Sequence, residues 1–372
     1  MLVFYISSHG FGHASREIEV INALARHRPA LQVAVRSQVP AWFFNSSTRR
    51  PIDVQPVETD TGIVQIDSLH VDEPETARRA AAFYADFDAR VEQEARWLRL
   101  SGTTAVVADV PPLACAAAAR AGLPAIVLAN FTWDWIYRGF DGFDQRAPRA
   151  IDVITRAYQT ATHALRLPLH GGFDAMADVV RDIPFIARRS THSRASIRAA
   201  LGVDSGRPLV LASFGGHSLR MPYEIAGGDG RLTVLMTEFE WNRNEAIANP
   251  THLICLTQED MANRHLRYED LVVAADVVIS KPGYGIVSEC IANGTALLYT
   301  SRGRMIEYDV FVDAMPRMLR CRFISQEDVL AGRWADSVDA LLAQPEAPTR
   351  PMTNGADVAA EFILKKAFTA SS

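Results

Sequence analysis

The stretch MLVFYISSHGFGHASRE, residues 1–17, decides the predicted fold. It opens with a continuous apolar run, Leu2 to Ile6, of the kind that is buried on both faces of a parallel sheet. Glycines follow at positions 10 and 12, and from Ile18 onward apolar residues recur at helical spacing. The order of strand, glycine loop and helix is the first unit of an α/β fold.

The same alternation continues along the chain and then restarts. Strands are predicted at 31–37, 104–109 and 125–130, with helices at 75–100 and 114–122 between them. A second series begins with RPLVLASFGG, residues 207–216. The sequence therefore predicts two Rossmann-like, doubly wound domains that face each other across a cleft. The predicted ranges are 1–165 for the first domain, 166–200 for a linker, 201–345 for the second domain and 346–372 for a C-terminal helical segment.

Composition excludes several classes of partner and location. The 372 residues carry a net charge of −5, which gives no field for binding nucleic acid. No apolar run approaches the length of a membrane span, and the N-terminus lacks the basic region of a signal peptide. The cysteines at 115, 255, 290 and 321 are far apart and contain no C-x-x-C, so we expect reduced thiols in a cytoplasmic protein.

Two histidines lie in the loop after the first strand. In an open α/β sheet, ligands bind outside the carboxyl ends of the strands, and Ser7 to Gly12 occupies such an end. Its glycines let a ligand approach the backbone. The alternative is a tight βα turn, which requires glycine but does not require His9 and His13.

A second informative stretch is ADVVISKPGYGIVSECIANGTALLYTS, residues 275–301. It is typical of a strand, a glycine loop, a helix and another strand. The helix N-terminus near Tyr284 offers free N–H groups to a phosphate, and Lys281 adds a full charge. Glu289, one to two turns into that helix, can accept hydrogen bonds from a ribose diol. The alternative for Glu289 is a solvated helix carboxylate, but the joint pattern favours a nucleotide site.

At these residues the chain resembles a known family. SKPGYGIVSE followed by ANGTALLYTSRGRMIEYD is similar to the donor-site block of GT-B nucleotide-sugar glycosyltransferases, with G-x-G-H on the acceptor side. The strongest resemblance is to the glycosyltransferase-like N-terminal region of plant L-arabinokinases, over about residues 5 to 345. It is carried by SSHGFGHASR, DVPPLACAAAARAG, ANFTWDWIY, IPFIARRSTHSRASIRAALG and ISKPGYGIVSE. The lipid-linked glycosyltransferases of peptidoglycan precursors are more distantly similar.

The resemblance implies that the N-terminal domain binds the acceptor and the C-terminal domain binds a nucleotide sugar, with the last helix packing back on the N-terminal domain. The implied nucleotide-binding residues are Gly215, Gly216, His217, Lys281, Gly283, Tyr284, Gly285 and Glu289. The resemblance also implies that Glu307, Tyr308 and Asp309 bind the donor sugar. In the family an Asp/Glu-Gln pair occupies about this position, and the Gln is missing from this sequence. The missing Gln leaves the identity of the sugar open.

The segment ANFTWDWIYRGF, residues 129–140, is the aromatic-rich part of the first domain. It is predicted to form an acceptor wall, because aromatic faces suit sugars and flat apolar molecules. The residues assigned to that wall are Phe131, Trp133, Asp134 and Trp135. The alternative is core packing, which we expect for at least two of the five aromatic residues there. YADFDA contains a D-x-D but lies in a helical segment, so neither a metal nor a cofactor is expected.

Inverting transfer to a hydroxyl needs a general base beside the acceptor. Histidine suits this task because its ordinary pKa of about 6.5 is near working pH. His13, at the start of the first helix, is predicted to be that base, and Asp109 at the end of a strand is predicted to orient it; His9 is the second candidate.

The predicted function is transfer of a sugar from a nucleoside diphosphate sugar, expected to be a UDP sugar, to a small acceptor. Two alternatives stay open: a non-catalytic nucleotide-sugar-binding module, and a GT-B epimerase or hydrolase. A binding module is an alternative because the similar plant region is fused to a kinase. The sequence leaves the sugar, the acceptor and the oligomeric state undetermined.

Overall fold

The computed structural model describes residues 1–203, 206–215, 230–238 and 252–368, which form two α/β domains. Within these ranges, the N-terminal domain contains a parallel sheet of seven strands in the order β3-β2-β1-β4-β5-β6-β7. Its strands are β1 (Leu2–Ile6), β2 (Val33–Arg36), β3 (Asp53–Gln55), β4 (Ala105–Asp109), β5 (Ala125–Phe131), β6 (His163–Gly171) and β7 (Val180–Asp182). Strand order reverses between β1 and β4. The loop predicted to bind a ligand, Ser7 to Gly12, follows β1 and therefore lies at this reversal.

Helices connect these strands. They are α1 (Gly12–His27), α2 (Ala41–Asn45), α3 (Glu73–Ala85), α4 (Phe87–Leu100), α5 (Pro112–Ala121), α6 (Trp133–Arg138), α7 (Phe143–Arg146) and α8 (Ala150–Tyr158), with a 3₁₀ helix at Asp174–Val179. The sheet is covered on both faces because alternate residues of β1 point in opposite directions. Val3 and Tyr5 join the core formed with α3 to α8, whereas Phe4 and Ile6 join the core formed with α1.

In the described part of the C-terminal domain, six parallel strands have the order β10-β9-β8-β11-β12-β13. They are β8 (Leu209–Ser213), β9 (Thr233–Thr237), β10 (Leu253–Leu256), β11 (Val277–Ser280), β12 (Ala296–Tyr299) and β13 (Cys321–Phe323). The helices are α9 (Arg194–Leu201), α10 (Gln258–Asn263), α11 (Tyr268–Ala274), α12 (Tyr284–Asn293), α13 (Glu307–Ala314), α14 (Gln326–Leu330) and α15 (Ala335–Leu342), with a 3₁₀ helix at Met315–Arg317; α16 (Gly355–Phe368) follows this domain in the chain. Here strand order reverses between β8 and β11, so the loops after those strands face the cleft.

The boundary between the domains differs from the predicted one. Residue 165 lies inside β6, and β7 extends the first sheet to Asp182. The helix α9 is already part of the second domain, since Arg194 and Arg198 donate hydrogen bonds to Asp276 at 3.1 and 2.8 Å. The connection is therefore 183–193. The strand β6 was not predicted from its sequence, HALRLPLHG, because polar residues and a proline separate its buried leucines.

The C-terminal helix α16 packs on the N-terminal domain. Its Ala359, Ala360 and Ile363 are fully buried in the core that contains α1. Arg26 of α1 donates a 2.5 Å hydrogen bond to Asp357 near the start of α16. The end of the chain thus stabilises the first domain. Across the described residues, no helix combines the length and apolar composition required to cross a bilayer.

We expect Ile363→Ala to lower the free energy of unfolding of the N-terminal domain by about 2–5 kcal/mol, the usual cost of truncating a buried isoleucine. Urea unfolding followed by tryptophan fluorescence measures this loss. Glu361→Ala is the matched control on the same helix, because Glu361 is exposed and its change should stay within about 0.5 kcal/mol. Equal stability of both variants would show that α16 does not contribute to this core.

Candidate active site

The end of β1 and the end of β4 bring His13 and Asp109 together. Ile6 is in register with Asp109, and the Ser7 N–H donates to the Asp109 carbonyl at 2.8 Å. The chain then turns at Gly10, whose φ of +74° lies in the left-handed region that favours glycine, and enters α1. As a result, His13 Nδ1 lies 2.8 Å from Asp109 Oδ1. The structure places both side chains at one point, and their catalytic roles remain predictions.

Arg16 is a third member of this cluster that sequence reasoning missed. It lies one turn after His13 on α1, and its Nε and Nη2 donate to the two Asp109 oxygens at 2.9 and 2.5 Å. Its Nη1 donates to Oδ1 of Asn130 at the end of β5. The guanidinium therefore links three neighbouring elements of the sheet edge. The sequence did contain one indication of this contact: in HASR, His13 and Arg16 are three residues apart and therefore lie on the same face of a helix.

Charge and geometry define the proton on His13. Burial alone would raise the pKa of Asp109, but Arg16 and His13 beside it bring that pKa below its ordinary value. An ionised carboxylate only accepts hydrogen bonds, so His13 Nδ1 carries the proton and donates to it. The 3.3 Å contact from Arg16 Nη2 to Nδ1 is longer and secondary. In the neutral ring this tautomer leaves the lone pair on His13 Nε2 to accept a proton.

His9 and Asp60 lie beside this cluster. His9 Nδ1 accepts a hydrogen bond from the Ile63 backbone N–H at 3.2 Å, and its ring meets Trp133 edge-on. Asp60 is buried and accepts from Ser7 Oγ at 3.0 Å and from Trp133 Nε1 at 2.9 Å. Burial raises the pKa of Asp60 to about 6, although both hydrogen bonds oppose that shift. Asp60 was not predicted, because no strand or glycine motif marks it.

Across the cleft, α12 points its N-terminus at the N-terminus of α1. Gly283 caps α12, and a Cβ built on Gly285 would lie only 3.9 Å from the Cα of Gly12. Lys281 and Gly215, from the loops after β11 and β8, line the same cavity. The predicted residues Gly216 and His217 lie outside the described residues.

Glu289 lines the cavity but already has a partner. Its Oε1 accepts a hydrogen bond from Arg188 Nε at 2.6 Å, and Arg188 Nη2 lies 2.6 Å from the same oxygen in an ion pair. Arg188 belongs to the interdomain connection, and its guanidinium lies 5.0 Å from the centre of the Tyr268 ring. Burial raises the pKa of Glu289, and Arg188 opposes the rise. Sequence reasoning missed Arg188 because nothing in the stretch IPFIARRSTHSRASIRAALG distinguishes it from the arginines beside it.

The predicted donor-sugar residues separate in the structure. Glu307 is buried and lines the cavity, where Arg302 Nη1 donates to its Oε1 at 2.5 Å. Tyr308 instead packs against apolar residues of both domains, and Asp309 is exposed. Neither is among the residues that line the cavity. Because α13 begins at Glu307, its next two residues point away from the cavity, and a role for Tyr308 and Asp309 at the donor sugar stays an untested prediction.

The predicted acceptor wall is also corrected in part. Phe131 lines the cavity and meets the His13 ring edge-on, with the ring centres 5.5 Å apart. Trp133, Asp134 and Trp135 do not line it. They start helix α6, where the Trp133 side chain is fully buried, Thr155 donates to Asp134 at 3.4 Å, and the Trp135 ring fills the space that a Cβ at Gly171 would occupy.

A different aromatic group faces the cavity. Phe11, Trp42 and Phe43, which we call the aromatic shelf, come from the N-cap of α1 and from α2. The rings of Phe11 and Phe43 stack at 4.6 Å with an angle of 14°, and Trp42 is 46% exposed. The segment AWFFN was the signal in the sequence, and it was missed because α2 is too short for a periodic pattern.

The cavity between the domains has a volume of about 500 Å³ and is lined by residues from both domains. This is within the usual range for a small-molecule site. Within the described ranges, no group of three or more His, Cys, Asp and Glu residues could hold a metal ion. The D-x-D aspartates, Asp86 and Asp88, are exposed where α3 meets α4. That no metal is needed remains a prediction.

Comparison with known proteins supports the predicted resemblance. No protein-family model matches the chain. L-arabinokinase of Arabidopsis thaliana is 28% identical over 378 residues, which cover 99% of this chain and 34% of the relative. The chain thus spans about a third of the length of that protein.

Solved structures confirm the fold. The glycotransferase of kitacinnamycin superposes with a TM-score of 0.66 at 15% identity, over 98% of each chain. MurG of Acinetobacter baumannii gives 0.50 at 14% identity, over 98% of this chain and 99% of the other. A putative UDP-N-acetylglucosamine 2-epimerase from Listeria monocytogenes gives 0.58 at 9% identity, over 100% and 97%. The chain therefore has the GT-B fold, which hosts more than one reaction.

The buried Asp60 carboxyl predicts a pH dependence of stability. Because its folded pKa is about 6 and the ordinary value is 3.8, the folded state binds this proton more tightly. Stability from this group is complete below pH 3.8 and is lost as pH rises through 6. Relative to Asp60→Asn, wild type should lose about 2 kcal/mol between pH 4 and pH 7.

Urea unfolding of both proteins at these two pH values measures the difference. The titrating groups that do not interact with Asp60 are the same in both proteins and cancel in the comparison. A constant gap between wild type and Asp60→Asn at pH 4 and pH 7 would show that the Asp60 pKa is ordinary.

Proposed function

We propose that the chain is a glycosyltransferase that moves a sugar from a nucleoside diphosphate sugar, a UDP sugar by expectation, to a small acceptor with inversion. The observation that carries the proposal is the 2.8 Å contact of His13 Nδ1 with Asp109 at the N-terminus of α1, facing the N-terminus of α12 across the cavity. This arrangement sets a base opposite a phosphate-binding helix end.

His13 Nε2 takes the proton of the acceptor hydroxyl in the proposed reaction. The acceptor oxygen attacks the anomeric carbon, and the bond from that carbon to the diphosphate oxygen breaks. Its electron pair leaves with the diphosphate. His13 becomes a cation during this step, and the Asp109 carboxylate 2.8 Å away stabilises the charge. Arg16 keeps Asp109 ionised, so that the carboxylate does not take the proton itself.

The donor side is supported by the loops after β8 and β11. Lys281 and the N-terminal N–H groups of α12 would bind the diphosphate and stabilise the leaving charge without a metal. Glu289 Oε1 is held by Arg188, so its Oε2 is the oxygen proposed to accept from the ribose.

On the acceptor side, the aromatic shelf and Phe131 favour a molecule with a flat or apolar face that presents its hydroxyl to His13. Stacking on the shelf would orient the acceptor, and the polar contact with His13 would select the reacting group.

The test of the base is His13→Ala. We expect turnover to fall by about 10²–10⁴-fold, the usual share of a positioned base, while affinity for UDP barely changes. Slow release of UDP from UDP sugars, with water as acceptor, gives a readout before the acceptor is known. His27→Ala is the matched control, because His27 is an exposed histidine at the other end of α1.

Turnover of His13→Ala within a few-fold of wild type would move the base to His9. If wild type binds UDP sugars yet releases no UDP under any condition, the chain is a binding module. Conversion of one UDP sugar into another would establish an epimerase instead.

A second prediction concerns the ribose. Glu289→Gln should weaken UDP binding by about 1–3 kcal/mol, the range for leaving a polar partner unsatisfied. Calorimetry measures this directly. Glu327→Gln is the control, because Glu327 is an exposed acid on α14 of the same domain. Unchanged UDP affinity in Glu289→Gln would contradict the ribose assignment.

A further inference from the structure

A buried acid beside the proposed base, Glu17, takes no part in the proposed reaction. It lies on α1, one turn after His13 and next to Arg16, and its side chain is fully buried. Residues four apart lie on the same face of a helix, so Glu17 follows His13 along the face of α1 that meets Asp109. Among the described residues, no N–H or O–H group donates to either of its carboxyl oxygens.

These surroundings determine where the proton lies. A carboxylate that is buried without donors would cost several kcal/mol, so a carboxyl in this position keeps its proton. Burial raises the pKa of Glu17 well above its ordinary value; the charge of Asp109 and a hydrogen bond with it add to the rise, and Arg16 opposes it. Burial alone would raise the pKa of Asp109 as well, but Arg16 and His13 bring it below its ordinary value. Of the two carboxyls, Glu17 is therefore the protonated one.

A protonated carboxyl donates one hydrogen bond, and the Asp109 carboxylate can accept it. Asp109 Oδ1 already accepts from His13 Nδ1 and Arg16 Nη2, whereas Oδ2 accepts from Arg16 Nε. A carboxylate has about four acceptor positions, so these three donors leave capacity on Oδ2. The four side chains of His13, Arg16, Glu17 and Asp109, which we call the base cluster, then have every charge paired.

From this geometry we propose that Glu17 is a positioning residue for the base: it stays protonated, donates to Asp109 and keeps His13 neutral until the acceptor proton arrives. This rests on the proposed function. Arg16 and Asp109 cancel, so the base cluster has no net charge while Glu17 is neutral. An ionised Glu17 would make the cluster negative, and His13 would take a proton from solvent and lose the lone pair that the reaction needs.

Two further groups face the base cluster from other elements. Asp60, in the loop between β3 and α3, is acted on by the charges of His13 and Asp109 and has a pKa of about 6. Tyr284 of α12 faces Arg16 across the cleft, and burial raises the pKa of its phenol, so that it stays neutral. Both groups are the same in every variant below, so a difference between variants comes from position 17.

NMR titration of the histidine rings tests the proposal without a substrate. Glu17→Gln keeps a neutral side chain with an N–H donor, whereas Glu17→Leu keeps the bulk and removes the donor. In Glu17→Leu the Asp109 charge acts more strongly on His13, so the midpoint of the His13 titration should rise by about 0.5–1 pH unit. In Glu17→Gln it should stay within about 0.2 of wild type. The exposed His27, at the other end of α1, is the internal control.

Infrared difference spectroscopy observes the proton directly and does not depend on the folding of Glu17→Leu. The difference between wild type and Glu17→Gln at pH 7 should contain the carbonyl band of a protonated carboxylic acid from the wild type. Carboxylate bands in its place would overturn the proposal.

The sign of the NMR shift separates the alternatives. A fall of the His13 midpoint in Glu17→Gln would show that Glu17 is ionised in wild type, and an unchanged midpoint in Glu17→Leu would show that Glu17 does not act on the base. Either result overturns the proposal.

Slow release of UDP from UDP sugars connects the titration to the reaction. The acidic limb of its pH profile should move up with the His13 midpoint in Glu17→Leu and keep its place in Glu17→Gln. A limb that stays in place while the midpoint moves would remove His13 from the reaction, so the proposed function would lose its base. The NMR and infrared results would still establish the proton on Glu17, so the two proposals fail separately.

Discussion

The N-terminal half of the site depends on one buried carboxylate, Asp109, which requires hydrogen-bond and charge partners. Asp109 is fully buried, and an unpaired charge there would cost several kcal/mol. Arg16 and His13 supply the partners, and both lie on the face of α1 that meets β4. This pairing joins α1 to β4, and Arg16 extends it to Asn130 on β5. The orientation of His13 thus follows from the contact that buries Asp109, and in the neutral ring the tautomer that donates from Nδ1 has its lone pair on Nε2.

A second constraint acts across the cleft, where the N-termini of α1 and α12 meet. Both ends carry positive partial charge, so their approach is unfavourable unless an anion lies between them. The approach is also close, because a Cβ on Gly285 would touch the backbone of Gly12. A Cβ at Gly285 would be in ordinary van der Waals contact there, so the constraint at this point is electrostatic, and a diphosphate would relieve it. The same binding event would stabilise the two domains in this relative position.

The sequence predicts those parts of the site that the backbone defines. The loops at Ser7 to Gly12 and at Lys281 to Gly285 were found because a buried strand, glycines and a helix follow one another in the chain. The side chains that complete the site were missed because tertiary packing selects them. Arg188 and Arg302 do not differ, in sequence, from surface arginines. Which face a residue of a short helix occupies could not be predicted either. The start of α6 places Trp133 in the core, and the start of α13 places Asp309 in solvent.

The missed arginines change how the predicted acids can work. Arg188 holds one oxygen of Glu289, and Arg302 holds one oxygen of Glu307. Each carboxylate is therefore fixed in orientation before a ligand arrives, and loses less side-chain entropy on binding than a solvated one. Pairing also neutralises the acids, so that they do not repel a diphosphate a short distance away. Lys281 and the two helix ends add positive charge to the same cavity. A cavity with acidic side chains can in this way accept a substrate that carries negative charge itself.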